Sequence, residues 1–304
     1  MKLFESKVAV LDAGMGKDLK MRGVEVPETI WSAHALTAAP EAVQEIHREN
    51  IDAGADIITT NSYGIIRADL RKVGMEHRYG ELNRIAGELA WRAVEESSRD
   101  VKIAGSLPPL NGSYRPDRVL PFDEIAPQYQ EQATLLAPYV DFFLCETMSH
   151  TTEARAAAAG AALSGKPVVV SFTLHDDDPG HLRSGESLED AIAAVAEYSP
   201  SGVMVNCCLP ERISDAMPLL ADSGYNLVGG YANAFTRVPT NWLLDGSKET
   251  DRNLEMRRDL TPEKYAQFAE NWIAAGATCI GGCCGTTAAH TAALRSLVER
   301  LRQG

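Results

Sequence analysis

The chain has 304 residues, 45% hydrophobic and 23% charged, enough for one large domain or two ordinary ones with a sizeable core. Lys and Arg number 29 against 42 Asp and Glu, a formal net charge of -13 that disfavours nucleic acid and anionic membrane as partners. No window reaches the ~18 apolar residues of a membrane span, and Glu5, Ser6 and Lys7 fall where a signal peptide needs its apolar stretch. A cytoplasmic protein is therefore expected. There its six cysteines read as core residues, metal ligands or nucleophiles before disulfides.

Taken in chain order, eight apolar, β-rich runs end in polar or glycine residues: "VAVLDAG" (8–14), "ADIITTNSY" (55–63), "VKIAGSLPP" (101–109), "DFFLCETM" (141–148), "KPVVVSFTL" (166–174), "GVMVNCC" (202–208), "YNLVGGYAN" (225–233) and "ATCIGGCC" (277–284). Such near-continuous runs suit strands buried on both faces. Helical spacing fills most of the intervals. "PEAVQEIHRENIDAG" sets Val43, Ile46 and Ile51 on one face, with Gly54 as a stop. "TTEARAAAAGAALSG" is an alanine-rich helix, and "LEDAIAAVAEY" and "TPEKYAQFAENWIAAG" are helical too, the last opening on Thr-Pro-Glu, a cap with proline in the first turn.

Eight alternating strands and helices predict a (β/α)8 TIM barrel, one domain over 1–304. An open doubly wound sheet would want G-x-G-x-x-G after an early strand, and "LDAGMGKDLK" keeps only Gly14 and Gly16 of that pattern. Two long connections, 175–187 and 235–259, leave strand C-termini, where barrel active sites lie. Each reads equally as a lid or as a solvated insertion. Nothing marks an oligomeric interface.

The strand-closing residues converge on one mouth: Asp12, Thr60, Asn61, Ser106, Glu146, Thr173, Asn206, Cys207, Asn233, Cys283 and Cys284. Cys207 and Cys283 are 76 positions apart in sequence, yet both close strands on that rim. Three thiolates with an open fourth position describe a catalytic zinc site. Cys145 and Cys279 lie inside strands and read as core; Cys208 points away from Cys207 if its strand stays regular. For the adjacent pair Cys283 and Cys284 to act together, the chain must turn, and Gly281, Gly282 and Gly285 are read as permitting it. No two of the seven histidines make a helical H-x-x-x-H pair, and His175 and His181 beside Asp176, Asp177 and Asp178 read as a solvated acidic loop.

The segments "GADIITTNSY", "CETMSHTTEA", "GVMVNCC" and "GGCCGT" resemble the homocysteine S-methyltransferase family, and the similarity runs from "LDAGMG" to "GGCCGT". The resemblance implies a zinc-bearing (β/α)8 barrel with Cys207, Cys283 and Cys284 as metal ligands. It implies that Asp12, Glu146 with Thr147, and Thr60 lie beside homocysteine. Two departures stand out: Asp12-Ala13-Gly14 where the family often has Asp-Gly-Gly, and Asn233-Ala234-Phe235-Thr236 where many members have Asn-Ser-Gly-Glu.

The expected reaction is zinc-dependent methyl transfer from a sulfonium donor, foremost S-methylmethionine, to the homocysteine thiol, giving methionine. Betaine, dimethylsulfoniopropionate, S-adenosylmethionine or a corrinoid protein are alternative donors, and selenohomocysteine an alternative acceptor. A cationic donor favours aromatic faces, and Trp31 and Tyr63 are the first candidates, Trp242 a third. The rival readings are a metal-free barrel holding phosphate at Gly229-Gly230 and Gly281-Gly282, and a closed structural zinc site with Cys208 as fourth ligand.

Overall fold

The computed structural model describes residues 8–27, 29–239, 242 and 254–303. Its strands are β1 (Ala9–Val10), β2 (Ile57–Thr59), β3 (Lys102–Leu107), β4 (Phe142–Met148), β5 (Val168–Phe172), β6 (Gly202–Asn206), β7 (Leu227–Ala232) and β8 (Cys279–Gly282). Each falls inside one of the eight apolar runs. All pairings are parallel, in the order β1-β8-β7-β6-β5-β4-β3-β2. A parallel bridge from Leu11 to Ile57 joins the two ends, so the sheet closes on itself. The fold is the expected (β/α)8 barrel in a single domain.

Two apolar layers follow from the strand alternation. Ala9, Leu11, Ile57, Ala104, Phe142, Leu144, Val169, Met204, Leu227, Tyr231 and Cys279 fill the barrel interior. Alternate residues such as Val10, Ile58, Ile103, Phe143, Cys145, Val170 and Val205 join the larger core beneath the helices. Cys145 and Cys279 are thus both core residues, one in each layer, and burial pushes their thiols up, that of Cys279 to about 12.

The helices stand where the sequence spacing put them. Pro40–Asp52 buries Val43, Ile46 and Ile51 and stops at Gly54, whose φ is 106°. Thr151–Ala162 opens on His150, whose Nδ1 accepts from Thr152 N at 3.0 Å. Leu188–Val195 is capped by Ser187, whose Oγ accepts from Asp190 N at 3.0 Å. Pro262–Ala274 is capped by Thr261, with Pro262 in the first turn. Further helices, Tyr79–Glu95, Phe122–Leu136, Pro210–Asp222 and Ala288–Gln303, complete the outer ring. Among the described residues no helix is long and apolar enough to cross a membrane.

Candidate active site

The C-terminal mouth of the barrel holds a pocket lined by Asp12, Thr59, Thr60, Asn61, Tyr63, Ser106, Glu146, Thr147, Cys207, Tyr231, Cys283 and Cys284, together with Ala13, Lys17, Trp31 and Phe235. Of the residues singled out from the sequence, Asp12, Trp31, Thr60, Asn61, Tyr63, Ser106, Glu146, Thr147 and the three cysteines lie on it, whereas Thr173, Asn206, Asn233 and Trp242 do not. The sulfurs of Cys207, Cys283 and Cys284 all lie within 4.8 Å of one another, the sole such group of three or more potential ligands among the described residues. Cys207 Sγ and Cys284 Sγ are 3.7 Å apart. Tetrahedral coordination with 2.3 Å metal–sulfur bonds needs ligand sulfurs about 3.8 Å apart. The donor set and its spacing therefore fit zinc.

Local backbone turns bring the three thiols together. Cys207 follows the last residue of β6 in a left-handed conformation, φ 53°, so it leaves the strand alternation and turns toward the mouth. Cys208 then sits fully buried in the outer core, with its thiol pushed up by burial, and supplies no fourth ligand. At β8 the glycines act differently from expectation. Gly281 and Gly282 belong to the strand itself; a Cβ on them would meet Leu11 Cβ at 2.5 Å and Thr286 Oγ1 at 2.2 Å. They provide room for close packing, and only Gly285, φ 84°, makes the left-handed turn.

The loop after β7 braces both cysteine turns, through one backbone amide and one side-chain amide. Ala234 N donates to the carbonyl of Cys284 at 2.8 Å, and Asn233 Nδ2 donates to the carbonyl of Cys207 at 2.9 Å. The departure at Ala234-Phe235 from the family pattern thus leaves the loop in contact with the cysteines, and Phe235 lines the pocket. Residues 240, 241 and 243–253 of the long connection lie outside the described residues.

Electrostatically the three thiols behave as one group. Hydrogen bonds from Cys283, Cys284 and the Tyr114 hydroxyl hold Cys207 well below the usual thiol range. Cys283 and Cys284 are held far above it, because the charge gathers on Cys207 and burial penalises more. Three thiolates coexist here only beside a cation.

Two carboxyls share the pocket. Asp12 accepts from Thr59 N at 2.8 Å and from the Thr59 hydroxyl; burial outweighs these bonds and pushes it up to about 7. Glu146 accepts from the Ser106 hydroxyl, and from Tyr231 OH at 3.3 Å, and burial pushes it also to about 7. Thr60 lies beside them with its hydroxyl engaged, accepting from Ser106 N at 3.0 Å and sharing a hydrogen with Ser62 at 2.8 Å.

A β-bulge explains how Glu146 and Thr147 both reach the pocket. The β4–β5 register runs Cys145 to Val170 and then Met148 to Phe172, so Glu146 and Thr147 together face Ser171. The extra residue is Thr147, a buried β-branched residue at φ 64°. Asn206 holds it there, accepting from Thr147 N at 2.8 Å and donating to Thr147 Oγ1 at 2.9 Å. Among the described residues five non-glycines have positive φ. Trp31, Thr147 and Cys207 line the pocket, Tyr114 touches Cys207, and only Ser199 lies elsewhere. Strain of this kind concentrates where function demands it.

On the aromatic side, Tyr63 OH shares a hydrogen with Ser113 Oγ at 2.7 Å, and Lys20 Nζ lies 4.7 Å from the Trp31 ring centroid. One face of Trp31 is thus already occupied by a cation. Trp242 stands away from the pocket lining, edge-on to Tyr114 at 5.4 Å.

Two sequence readings are corrected. Asp176 is not part of a solvated acidic loop: it is buried and ion-paired to Arg183 at 3.2 Å, while Asp177 and Asp178 stay exposed. Gly229, Gly230, Gly281 and Gly282 occupy paired strand positions, so they form no open phosphate loop. Tyr114, Tyr231 and Thr59 were not singled out. Thr59 is the polar residue one step before the apparent strand end, and Tyr231 sits inside a glycine-containing run. Tyr114 belongs to the "NGSYRPDR" loop, where no periodicity exists to place it.

Residues 9–298 match the sequence profile of the homocysteine S-methyltransferase family. The homocysteine S-methyltransferase of Escherichia coli (strain K12) is 29% identical over 319 residues, covering 97% of this chain and 96% of that one. The selenocysteine methyltransferase of Astragalus bisulcatus is 24% identical, covering 92% and 89%. Among solved structures, the metallated form of the homocysteine methyltransferase MmuM from Escherichia coli superposes with a TM-score of 0.80 at 27% identity, with 96% of each chain covered. Its apo form scores 0.72 at 26% identity, covering 96% of this chain and 97% of that one. This chain belongs to the homocysteine S-methyltransferase family.

Proposed function

We propose that the protein transfers a methyl group from a small sulfonium donor, foremost S-methylmethionine, to the thiol of homocysteine, with zinc held by Cys207, Cys283 and Cys284. The observation that carries this reading is the meeting of three cysteine sulfurs within 4.8 Å beside two buried carboxyls in one pocket. Zinc at three thiolates keeps a fourth, incoming thiol deprotonated at neutral pH, where free thiols with pKa near ~8.5 are mostly protonated.

The chain's own residues do the rest. Asp12 and Glu146, in their ionised forms, hold the acceptor's ammonium, and backbone amides beside Thr60, whose own hydroxyl is engaged with Ser62 and Ser106, receive its carboxylate. That fixes the acceptor's sulfur against the cysteine end of the pocket. Trp31, on the face that Lys20 leaves free, and Tyr63 take the cationic donor. The acceptor sulfur then bonds to the donor's methyl carbon as the donor's carbon–sulfur bond breaks. Positive charge on the donor disappears in that step, which a pocket closed to water favours. No protein base is required, and among the described residues no histidine lines the pocket.

The decisive experiment measures bound zinc together with methionine formation from homocysteine. Its donor panel is S-methylmethionine, betaine, dimethylsulfoniopropionate, S-adenosylmethionine and a methylcorrinoid. One zinc per chain and turnover with S-methylmethionine is expected. Cys283→Ala is expected to lose zinc and turnover together, by more than the about 100-fold typical of removing a merely supporting residue. Full turnover in metal-free protein or in that variant would overturn the reading. Selenocysteine and selenohomocysteine belong on the acceptor panel, because a selenocysteine methyltransferase is among the relatives.

A further inference from the structure

The loop after β3 reaches the cysteine cluster through one side chain. Tyr114 is 4% exposed, has a φ of 63°, and sets its hydroxyl 2.8 Å from Cys207 Sγ. A bulky residue stays in that conformation only where its surroundings over-determine it. Here they do. Ser113, its neighbour, is tied to Tyr63 at 2.7 Å. The Arg183 guanidinium lies over the Tyr114 ring, 4.6 Å from its centroid, and Trp242 meets the ring edge-on at 5.4 Å. Arg183 is in turn held by Asp176 at 3.2 Å, with both side chains at least 97% buried. Asp176 also accepts from Val238 N at 2.8 Å and from Leu209 N, two residues past Cys207, at 3.4 Å. Connections after β3, β5, β6 and β7 thus converge on one phenol ring and the sulfur it touches. None of this is needed to hold a tyrosine on a surface loop.

We propose that Tyr114 is a positioning residue of the cysteine centre, its phenol donating a hydrogen bond to Cys207 Sγ and so setting the electron density that sulfur offers a metal. The proposal rests on the reading of Cys207, Cys283 and Cys284 as metal ligands. The direction of the bond follows from chemistry: a ligating cysteine is a thiolate with no proton, so the phenol must donate. A hydrogen bond to a charged acceptor is stronger than a neutral one. Such partners behind a ligand orient it and tune it. Arg183, a buried cation stacked on the same ring, polarises the phenol in the same sense and offsets the negative charge of three thiolates. Through Arg183 and its partner Asp176, the connection 175–187 supports this phenol.

Tyr114→Phe keeps the ring against Arg183 and Trp242 and removes only the donor. Wild type and variant are stripped of metal, then titrated with zinc against a chromogenic chelator and with cobalt by absorption. The variant is expected to bind zinc about tenfold more weakly. Its thiolate-to-cobalt bands are expected at longer wavelength, because a sulfur lone pair without its hydrogen bond lies higher in energy. Site-specific 3-fluorotyrosine at 114, a stronger donor, should move the bands the opposite way, a pair of shifts that misfolding cannot mimic. Unmoved bands in both proteins, whatever the affinity, would overturn the proposal and leave Tyr114 a packing residue. Wild type that takes up neither cobalt nor zinc would instead remove the metal reading beneath it.

Discussion

Asp12 and Glu146 face the same pocket, and burial pushes both to about 7, well above ordinary carboxyls. Only their ionised forms attract an ammonium. As pH falls below about 7 each takes up a proton, and the acceptor loses both counter-charges. The expected outcome is a kcat/KM for homocysteine that declines below about pH 7, a profile that reports the free enzyme's groups. The fall should reside in KM, read from initial rates between pH 6 and 8.5 with bound metal assayed at each point. A KM flat across that range would remove the carboxyls from acceptor binding. At this scale the cysteines were legible in the sequence because their chemistry is rare and strand ends converge. Tyr114 and Tyr231 were not: a tyrosine in a loop or strand carries no mark of the partner it will meet. Asp176 was misread for a similar reason, since three consecutive acids look solvated until Arg183 is folded over one of them.

Elements show where a helix or strand yields to its surroundings. The helix Pro40–Asp52 buries His47 to 1% exposure, and neither ring nitrogen has a hydrogen-bond partner. Burial lowers its pKa from 6.5 to about 4. The unfolded chain therefore binds a proton that the folded one refuses, and stability is lost as pH falls from about 6.5 toward 4. The loss is about 3 kcal/mol in total. His47→Leu is expected to flatten that dependence: its Tm should drop less than that of the native chain between pH 7.5 and pH 5 by calorimetry. Equal drops would mean that His47 takes up its proton as readily in the folded state as in the unfolded chain. Among the strands, β4 is instructive. Alternation in "FFLCETM" suggests one inward residue in two, and the bulge breaks it to bring Glu146 and Thr147 to one pocket. Asn206 enforces that break from β6, a pairing between residues 59 positions apart that no local pattern contains.

For the molecule as a whole, closure of the barrel is the weakest seam. β1 and β2 meet through the single bridge from Leu11 to Ile57. Asp56 supports it: its carboxylate accepts from Val10 N at 3.0 Å and forms ion pairs with Arg295 and, at 3.6 Å, Arg99. Asp12, one residue past that bridge, depends on the seam for its place in the pocket. Asp56→Ala is expected to destabilise the fold by about 2 kcal/mol, the scale of hydrogen bonds to a charged group. Denaturant midpoints would show it, and an unchanged midpoint would transfer the closure to the apolar contacts alone. Architecture itself was readable from the sequence: eight buried runs alternating with helical spacing leave a parallel barrel as the arrangement that covers both strand faces. The convergence of Asp12, Glu146, Cys207, Cys283 and Cys284 followed from that topology, because every parallel strand ends at the same rim. Only the tertiary structure decided what local pattern cannot encode. The left-handed turns at Thr147 and Cys207, the bulge in β4, the phenol on Cys207 and the buried Asp176–Arg183 pair each depend on partners distant in sequence. Periodicity records how much of a residue is buried, whereas these features depend on which particular atom it is buried against.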